Sequence, residues 1–109
     1  MINALNHIVI FITTSSHDEA QKISARLLEK REVACATIVP EVQSQYWWNG
    51  TIEKGRESMV VLKTKASVFQ KIVNTVREMH SYEVPEIIAL PIIAGNEKYL
   101  EWIDNEVKG

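Results

Sequence analysis

The chain has 109 residues, of which 46% are apolar and 24% charged, and its formal net charge is −2. This length predicts a single domain over residues 1–109, large enough to bury a core without disulfides or a structural metal. The slightly acidic balance argues against a nucleic-acid-binding protein, which is normally basic. One cysteine cannot form an internal disulfide and indicates a reducing compartment.

The N-terminal segment shows no pattern of a targeting peptide or a membrane span. Residues 1–6 contain no Lys or Arg, so the basic part of a signal peptide is missing. The first apolar run, Ile8 to Ile12, is far shorter than the roughly 20 residues that cross a bilayer. We therefore expect a cytoplasmic protein with no membrane contact.

The first part of the chain predicts a strand, a helix and a second strand. The unbroken β-branched run His7 to Thr14 is typical of a strand buried on both faces in the middle of a sheet. Ser16 and Glu19 form a capping-box pattern, and an amphipathic helix follows them. Val33 to Val39 is the second apolar run and predicts the second strand.

A long hairpin is predicted next. Pro40 interrupts the second strand, and a proline within a strand indicates an edge or a bulge. The strand continues as Val42 to Trp48 and reaches Asn49-Gly50, the strongest short hairpin signal, because both positions of a type I′ turn need positive φ. The returning arm runs from Thr51 to Thr64, with a second irregularity expected near Gly55.

The last part predicts a helix, a strand and a helix. Ser67 to Gln70 is a second capping-box pattern, and the helix that it begins is expected to end near His80. Glu86 to Ile93 predicts a fourth strand, in which Pro91 indicates an edge or a bulge. Asn96 is expected to cap a short C-terminal helix.

The predicted element order, βαββαβ and a helix, defines the fold class. Two β–α–β halves with right-handed crossovers predict an α+β, ferredoxin-like sandwich with helices on one face of a four-stranded antiparallel sheet. The other face still presents apolar side chains that must be buried. In the predicted hairpin register Trp47 lies opposite Ile52 and Trp48 opposite Thr51, beyond any core of one domain. Together with Tyr46, they predict packing in a closed oligomer.

Few residues suit chemistry, and the sequence contains no phosphate loop, nucleophile elbow, HExxH or CxxC pattern. Neither an enzyme nor an organic cofactor is therefore expected. Cys35, within an apolar strand, is either a small buried side chain or a soft copper ligand. His80 either stabilises the C-terminal end of a helix by its interaction with the helix dipole, or belongs to a site with the polar residues that follow it. Glu57 and Lys63 are either a solvated pair or site residues.

Five segments resemble the CutA divalent-cation tolerance family in order and spacing. They are Val33 to Pro40, Tyr46 to Gly50, Leu62 to Thr64, His80 to Pro91, and Ala94 to Trp102. The similarity covers about residues 7–107. One departure is Ser81, where the family usually has proline.

The resemblance implies a ferredoxin-like homotrimer similar to the PII signalling proteins, located in the cytosol and associated with tolerance of copper and other divalent cations. It implies no established enzymatic reaction. It also implies that these residues lie in or near clefts between subunits: Cys35, Trp48, Glu57, Lys63, His80, Tyr82, Glu83 and Glu86. Copper or another divalent cation would bind through Cys35 and His80. Some family members have additional cysteine or histidine ligands, and at those positions this chain has Ile12 and Met79.

Two functions compete, and a third is weaker. The first is a trimeric metal-ion binding or response protein. The second is a PII-like sensor that binds a small organic ligand in the inter-subunit cleft and signals to an unidentified partner. In the third, Glu83 and His80 would perform acid–base catalysis, although no nucleophile is evident.

Overall fold

The computed structural model describes residues 6–109, and its elements follow the predicted order. These elements are β1 (His7–Thr14), α1 (His17–Glu29), β2 (Cys35–Trp48), β3 (Thr51–Lys65), a 3-10 turn (Ala66–Val68), α2 (Phe69–Met79), β4 (Ile87–Pro91) and α3 (Glu97–Glu106). The strands form one antiparallel sheet in the order β2-β3-β1-β4. The predicted α+β, ferredoxin-like arrangement is confirmed.

The core lies between one face of the sheet and the helices. On this helix-covered face, Ile10 and Ile12 of β1 are fully buried beside Leu62 of β3. Ile23 of α1 and Ile72 of α2 pack into the same cluster. The alternation of buried and half-buried residues along β1 is the period-2 pattern of a strand with one covered face.

The second sheet face is less covered within one chain. Val9 and Phe11 point to it from β1 and are only half-buried, while Ile88 and Leu90 of β4 are 52% and 50% exposed. The prediction that β1 is buried on both faces is therefore wrong for the single chain, because α1 and α2 pack on the other face. β1 does lie in the middle of the sheet, as predicted.

The first helix cap forms largely as the sequence predicts. The hydroxyl of Ser16 accepts a hydrogen bond from the Glu19 backbone N–H at 3.1 Å. The Glu19 carboxylate, however, accepts from the N–H of Ser15 instead of that of Ser16. This one-residue difference turns the carboxylate towards the loop that follows α2, where it takes part in the candidate site.

The prediction of a second capping box at Ser67 is wrong. Lys65 precedes a 3-10 turn, and α2 begins only at Phe69, with no side-chain cap. Ser67 lies inside this turn, so its hydroxyl cannot cap the helix and instead faces the Gly109 carbonyl oxygen at 3.5 Å. The predicted end of the helix is confirmed, since Met79 is its last residue.

The hairpin has the predicted turn and register. Asn49 and Gly50 have φ values of 49° and 82°, as a type I′ turn requires. Trp48 pairs with Thr51, and the register shifts around Pro40 as predicted. The prediction of an irregularity at Gly55 is wrong, because Gly55 pairs regularly with Ser44. The bulge at Pro40 already accommodates the one extra residue of β2.

The last strand and the last helix also match the patterns in the sequence. β4 lies at the sheet edge and ends at Pro91, where a missing N–H costs no ladder hydrogen bond. The side chain of Asn96 caps α3 by accepting from the Lys98 N–H at 3.1 Å. None of the helices within residues 6–109 is long and apolar enough to cross a membrane.

Candidate functional site

His80 directly follows α2 and turns its ring into the protein. Its side chain is 0% exposed. Nε2 lies 2.7 Å from the Thr13 carbonyl oxygen, and Nδ1 lies 3.0 Å from the backbone nitrogen of Tyr82. A carbonyl can only accept and a backbone N–H can only donate, so Nε2 carries the proton and Nδ1 accepts. Both ring nitrogens are therefore engaged inside the chain.

Tyr82 connects His80 to β3. The two rings lie 4.8 Å apart between centroids. The Tyr82 hydroxyl donates to Glu57 Oε2 at 2.8 Å, and the Ser44 hydroxyl donates to Glu57 Oε1 at 2.6 Å. Burial, with the added effect of the Glu57 carboxylate, raises the pKa of Tyr82 well above its ordinary value. We call Ser44, Glu57, His80 and Tyr82 the polar cluster.

Glu19 of α1 ties the loop of the polar cluster to the start of the helix. Its side chain is 13% exposed and accepts from the N–H and hydroxyl of Ser15 at 2.9 and 3.0 Å. It also accepts from the N–H of Ser81 at 2.7 Å and from its hydroxyl at 3.2 Å. Burial raises the pKa of Glu19, but these hydrogen bonds outweigh it and hold the pKa below its ordinary value. A proline at position 81 would lack this N–H donor.

Cys35 belongs to a separate group of side chains. Its sulfur lies 4.0 Å from Lys63 Nζ and 3.7 Å from the Thr37 hydroxyl, and the residue is half-buried. Burial raises the pKa of Tyr99 on α3, and the neighbouring Cys35 raises it further. The structure thus brings together Cys35, Lys63 and Tyr99, and Tyr99 is a neighbour that sequence reasoning missed.

The structure does not bring Cys35 and His80 together within one chain. Cys35 pairs with Lys63, which pairs with Val9 of β1, whereas His80 contacts Thr13, four residues further along β1. At about 3.3 Å per residue, the two positions are separated by about 13 Å along the strand.

The residues present do not fit a copper site shared by these two side chains in one chain. A stable soft-metal site usually takes three or four ligands. Within residues 6–109, no group of three or more His, Cys, Asp or Glu side chains is placed to hold a metal ion. Ile12 has no donor atom and is buried in the core, and Met79, the last residue of α2, is 37% exposed, so neither replaces the missing ligands.

The other predicted cleft residues lie at the surface. Trp48 is 63% exposed at the hairpin tip, and Glu83 and Glu86 are exposed in the segment that follows Tyr82. Sequence reasoning missed Ser44 and Glu19 as members of the site region. Ser44 had a usable signal, because beyond the bulge it points to the same sheet face as Glu57. Glu19 had none, since its partner Ser81 is 62 residues away.

The fold and the polar cluster define an α+β, ferredoxin-like protein with polar groups at the open face of its sheet. Residues 8–106 match the family model described as CutA1 divalent ion tolerance protein. The chain belongs to this family, and the resemblance found in the sequence is confirmed.

Two relatives illustrate the range of the family. The divalent-cation tolerance protein CutA of Archaeoglobus fulgidus is 42% identical over 102 residues, which cover 94% of this chain and 99% of the relative. The chloroplastic protein CutA 1 of Oryza sativa is 36% identical over 101 residues, which cover 93% of this chain. The chain spans only 57% of that rice protein and 56% of the Arabidopsis thaliana protein CutA.

Solved structures confirm the fold. The structure of the Archaeoglobus fulgidus protein, described as a periplasmic divalent cation tolerance protein, matches with a TM-score of 0.91, 41% identity and coverage of 94% of this chain and 99% of that one. The crystal structure of CutA1 from Oryza sativa matches with a TM-score of 0.93, 35% identity and 95% coverage of both chains. These names describe no enzymatic reaction. They include periplasmic and chloroplastic proteins, so the cytoplasmic location stays a prediction.

Proposed function

We propose that the chain acts in the response to divalent cations, without enzymatic activity, as a cytoplasmic homotrimer of single-domain subunits spanning residues 1–109. Membership of the CutA1 divalent ion tolerance family supports the cation response. The observation that carries the assembly is the exposed apolar surface of the second sheet face and the hairpin. Trp47 and Trp48 are 72% and 63% exposed, and Ile88 and Leu90 about half. Burying a fully exposed large side chain contributes roughly 1.5–3 kcal/mol, and the half-buried Ile88 and Leu90 would each contribute less.

The proposed sensing site is the cleft that such an assembly would form at the polar cluster. Glu57 points to the second sheet face and Tyr82 reaches it there. A neighbouring subunit that covers this face would enclose the cluster and leave Glu83 and Glu86 at its rim. Lys63 lies on the same face, further along β3, and Trp48 lies at the end of the hairpin.

Copper or another divalent cation is the proposed ligand. Because Cys35 and His80 lie apart in one chain, a site that used both would need donors from different subunits. Isothermal titration of the full-length protein with Cu(II) tests direct binding. We expect saturable binding that is weakened in Cys35→Ser and retained in Thr37→Val, a control at the hydroxyl 3.7 Å from the thiol. The absence of saturable binding to the unaltered protein would contradict direct copper binding.

A small organic ligand is the second candidate, and the composition of the site favours it. The polar cluster offers hydroxyl and carboxylate groups, Lys63 adds an ammonium group on the same face, and the described residues hold no three-ligand metal group. Such a mixture suits an organic molecule better than a soft metal, in a sensor that signals to a protein partner. A thermal-shift screen of nucleotides and organic anions against Cu, Zn and Co separates the two. Stabilisation by organic molecules alone would favour the sensor.

A further inference from the structure

We propose that His80 is a positioning residue, which holds Tyr82 against Glu57, and that it does not ligate the cation. The inference rests on the proposed function only in taking the polar cluster as part of the sensing cleft. The two predicted copper ligands then have different roles. Cys35 keeps an available lone pair on its sulfur, whereas His80 does not keep one on its ring.

His80 has no free lone pair on its ring nitrogens. Nε2 carries the proton donated to the Thr13 carbonyl, and the Nδ1 lone pair accepts the Tyr82 N–H. A cation at Nδ1 would leave that N–H without its partner. A cation at Nε2 would have to displace the proton and break the bond to Thr13. The ring is 0% exposed, so either change would require the loop to move.

His80 fixes the position of Tyr82 through two contacts. Its Nδ1 fixes the Tyr82 backbone, and its ring packs against the tyrosine ring with a centroid separation of 4.8 Å. These contacts place the phenol where it donates to Glu57, whose other oxygen accepts from Ser44. His80 therefore orients the Glu57 carboxylate without touching it. The chain of contacts runs from Thr13 of β1 through His80 and Tyr82 to Glu57 of β3.

Glu19 is a second neighbour of the His80 ring. Glu19 Oε1 lies 4.0 Å from Nδ1, beyond ordinary hydrogen-bond distance. Glu19 uses its oxygens on Ser15 and Ser81 and thereby fixes the residue between His80 and Tyr82. The position of Tyr82 thus depends on the His80 ring and on the Ser81 backbone together.

Long-range ¹H–¹⁵N NMR of the full-length protein tests the assignment directly. In the metal-free protein we expect His80 to show the Nε2–H tautomer, and we expect the pattern to stay unchanged when ZnCl2 is added to saturation. The ring signals of His7 and His17, in the same spectrum, serve as internal references for the His80 signals. A shift of the His80 Nδ1 or Nε2 signal to metal-bound values, saturating with the added zinc, would overturn the proposal. An Nδ1–H tautomer in the metal-free protein would overturn it as well.

A pair of variants tests the positioning role by a signature that a general loss of packing would not produce. In the unaltered protein, Tyr82→Phe should lower the urea unfolding midpoint. In His80→Ala, we expect the same change to leave the midpoint unmoved, because the phenol has already left Glu57. In His80→Asn, the side-chain oxygen can accept the N–H two residues on, as in an Asx-turn, so Tyr82→Phe should again lower the unfolding midpoint in part. An equal midpoint shift from Tyr82→Phe in the unaltered protein and in His80→Ala would contradict the proposal.

The two experiments separate this inference from the proposed function. If the protein binds no cation in titrations, the cation part of the proposed function fails, while the tautomer and the effect of Tyr82→Phe in the two backgrounds still decide the role of His80. The tautomer measurement needs no variant, so it applies even if His80→Ala does not fold.

Discussion

Replacing Glu19 by Gln should destabilise the protein far more than the same change elsewhere on α1. The carboxylate accepts four hydrogen bonds, from the N–H and hydroxyl groups of Ser15 and Ser81. A glutamine keeps one acceptor oxygen, and its amide group would face at least one N–H donor. The matched control is Glu29→Gln, which removes an exposed ion pair with Arg26.

The magnitude follows from the burial of the two carboxylates. A hydrogen bond to a charged group contributes roughly 1.5–3 kcal/mol, and bonds to one carboxylate are not additive. Because the Glu19 side chain is only 13% exposed, we expect a loss of about 2–3 kcal/mol for Glu19→Gln at neutral pH. The Arg26 and Glu29 side chains are 51% and 69% exposed, so the control should lose about 0–0.5 kcal/mol.

The Glu19 effect should also depend on pH. The folded pKa of Glu19 lies below its ordinary value of 4.5. As the pH falls, the unfolded chain therefore binds the proton first, and the contribution of Glu19 is lost as the pH falls through the folded pKa. Above the ordinary value the contribution is complete. The free-energy difference between the unaltered protein and Glu19→Gln should be largest at neutral pH and shrink in acid.

Urea unfolding followed by tryptophan fluorescence measures this difference at neutral pH and at about pH 3.5, where carboxylates titrate. Protomer concentration must be fixed, because assembly makes stability depend on it. A difference that stays constant over this range, or one as small as that of Glu29→Gln, would refute the assigned role of Glu19.

Three further changes have defined outcomes in the same unfolding assay. Ser24→Ala should stabilise by about 1 kcal/mol, because the buried Ser24 hydroxyl has no hydrogen-bond partner among the described residues; a loss of stability would show that it has one. Tyr82→Phe should cost about 1 kcal/mol, since Glu57 retains its bond from Ser44, and a neutral result would mean that the phenol bond contributes nothing. Gly50→Ala should cost roughly 1–2 kcal/mol, because φ is +82° there, and an unchanged midpoint would show that the turn relaxes.

The fold could be predicted where local signals are strong. Asn49-Gly50 determines the turn, and the turn determines the cross-strand register that places Trp48 opposite Thr51. The pattern at Ser67 led to a wrong prediction. A capping box requires the serine side chain to cap the first turn of the helix, but Ser67 lies in a 3-10 turn that precedes α2. Nothing in the local sequence distinguishes these two starts.

The candidate site was predictable only in part, because its contacts span long distances along the chain. The run that begins at His80 suggested a site, and its polar contacts are present. The direction of the His80 ring depends on a carbonyl of β1, 67 residues away. The separation of Cys35 from His80 likewise follows from strand register and not from either residue's neighbours.

Sedimentation velocity of the full-length protein tests the proposed assembly most directly. The exposed hairpin and second sheet face predict one species with about three times the 12.4 kDa mass of a single chain, stable on dilution. Trp47 and Trp48 should then fluoresce as buried side chains. A single species at the mass of one chain, with solvent-exposed tryptophans, would contradict the homotrimer and the cleft proposed at the polar cluster.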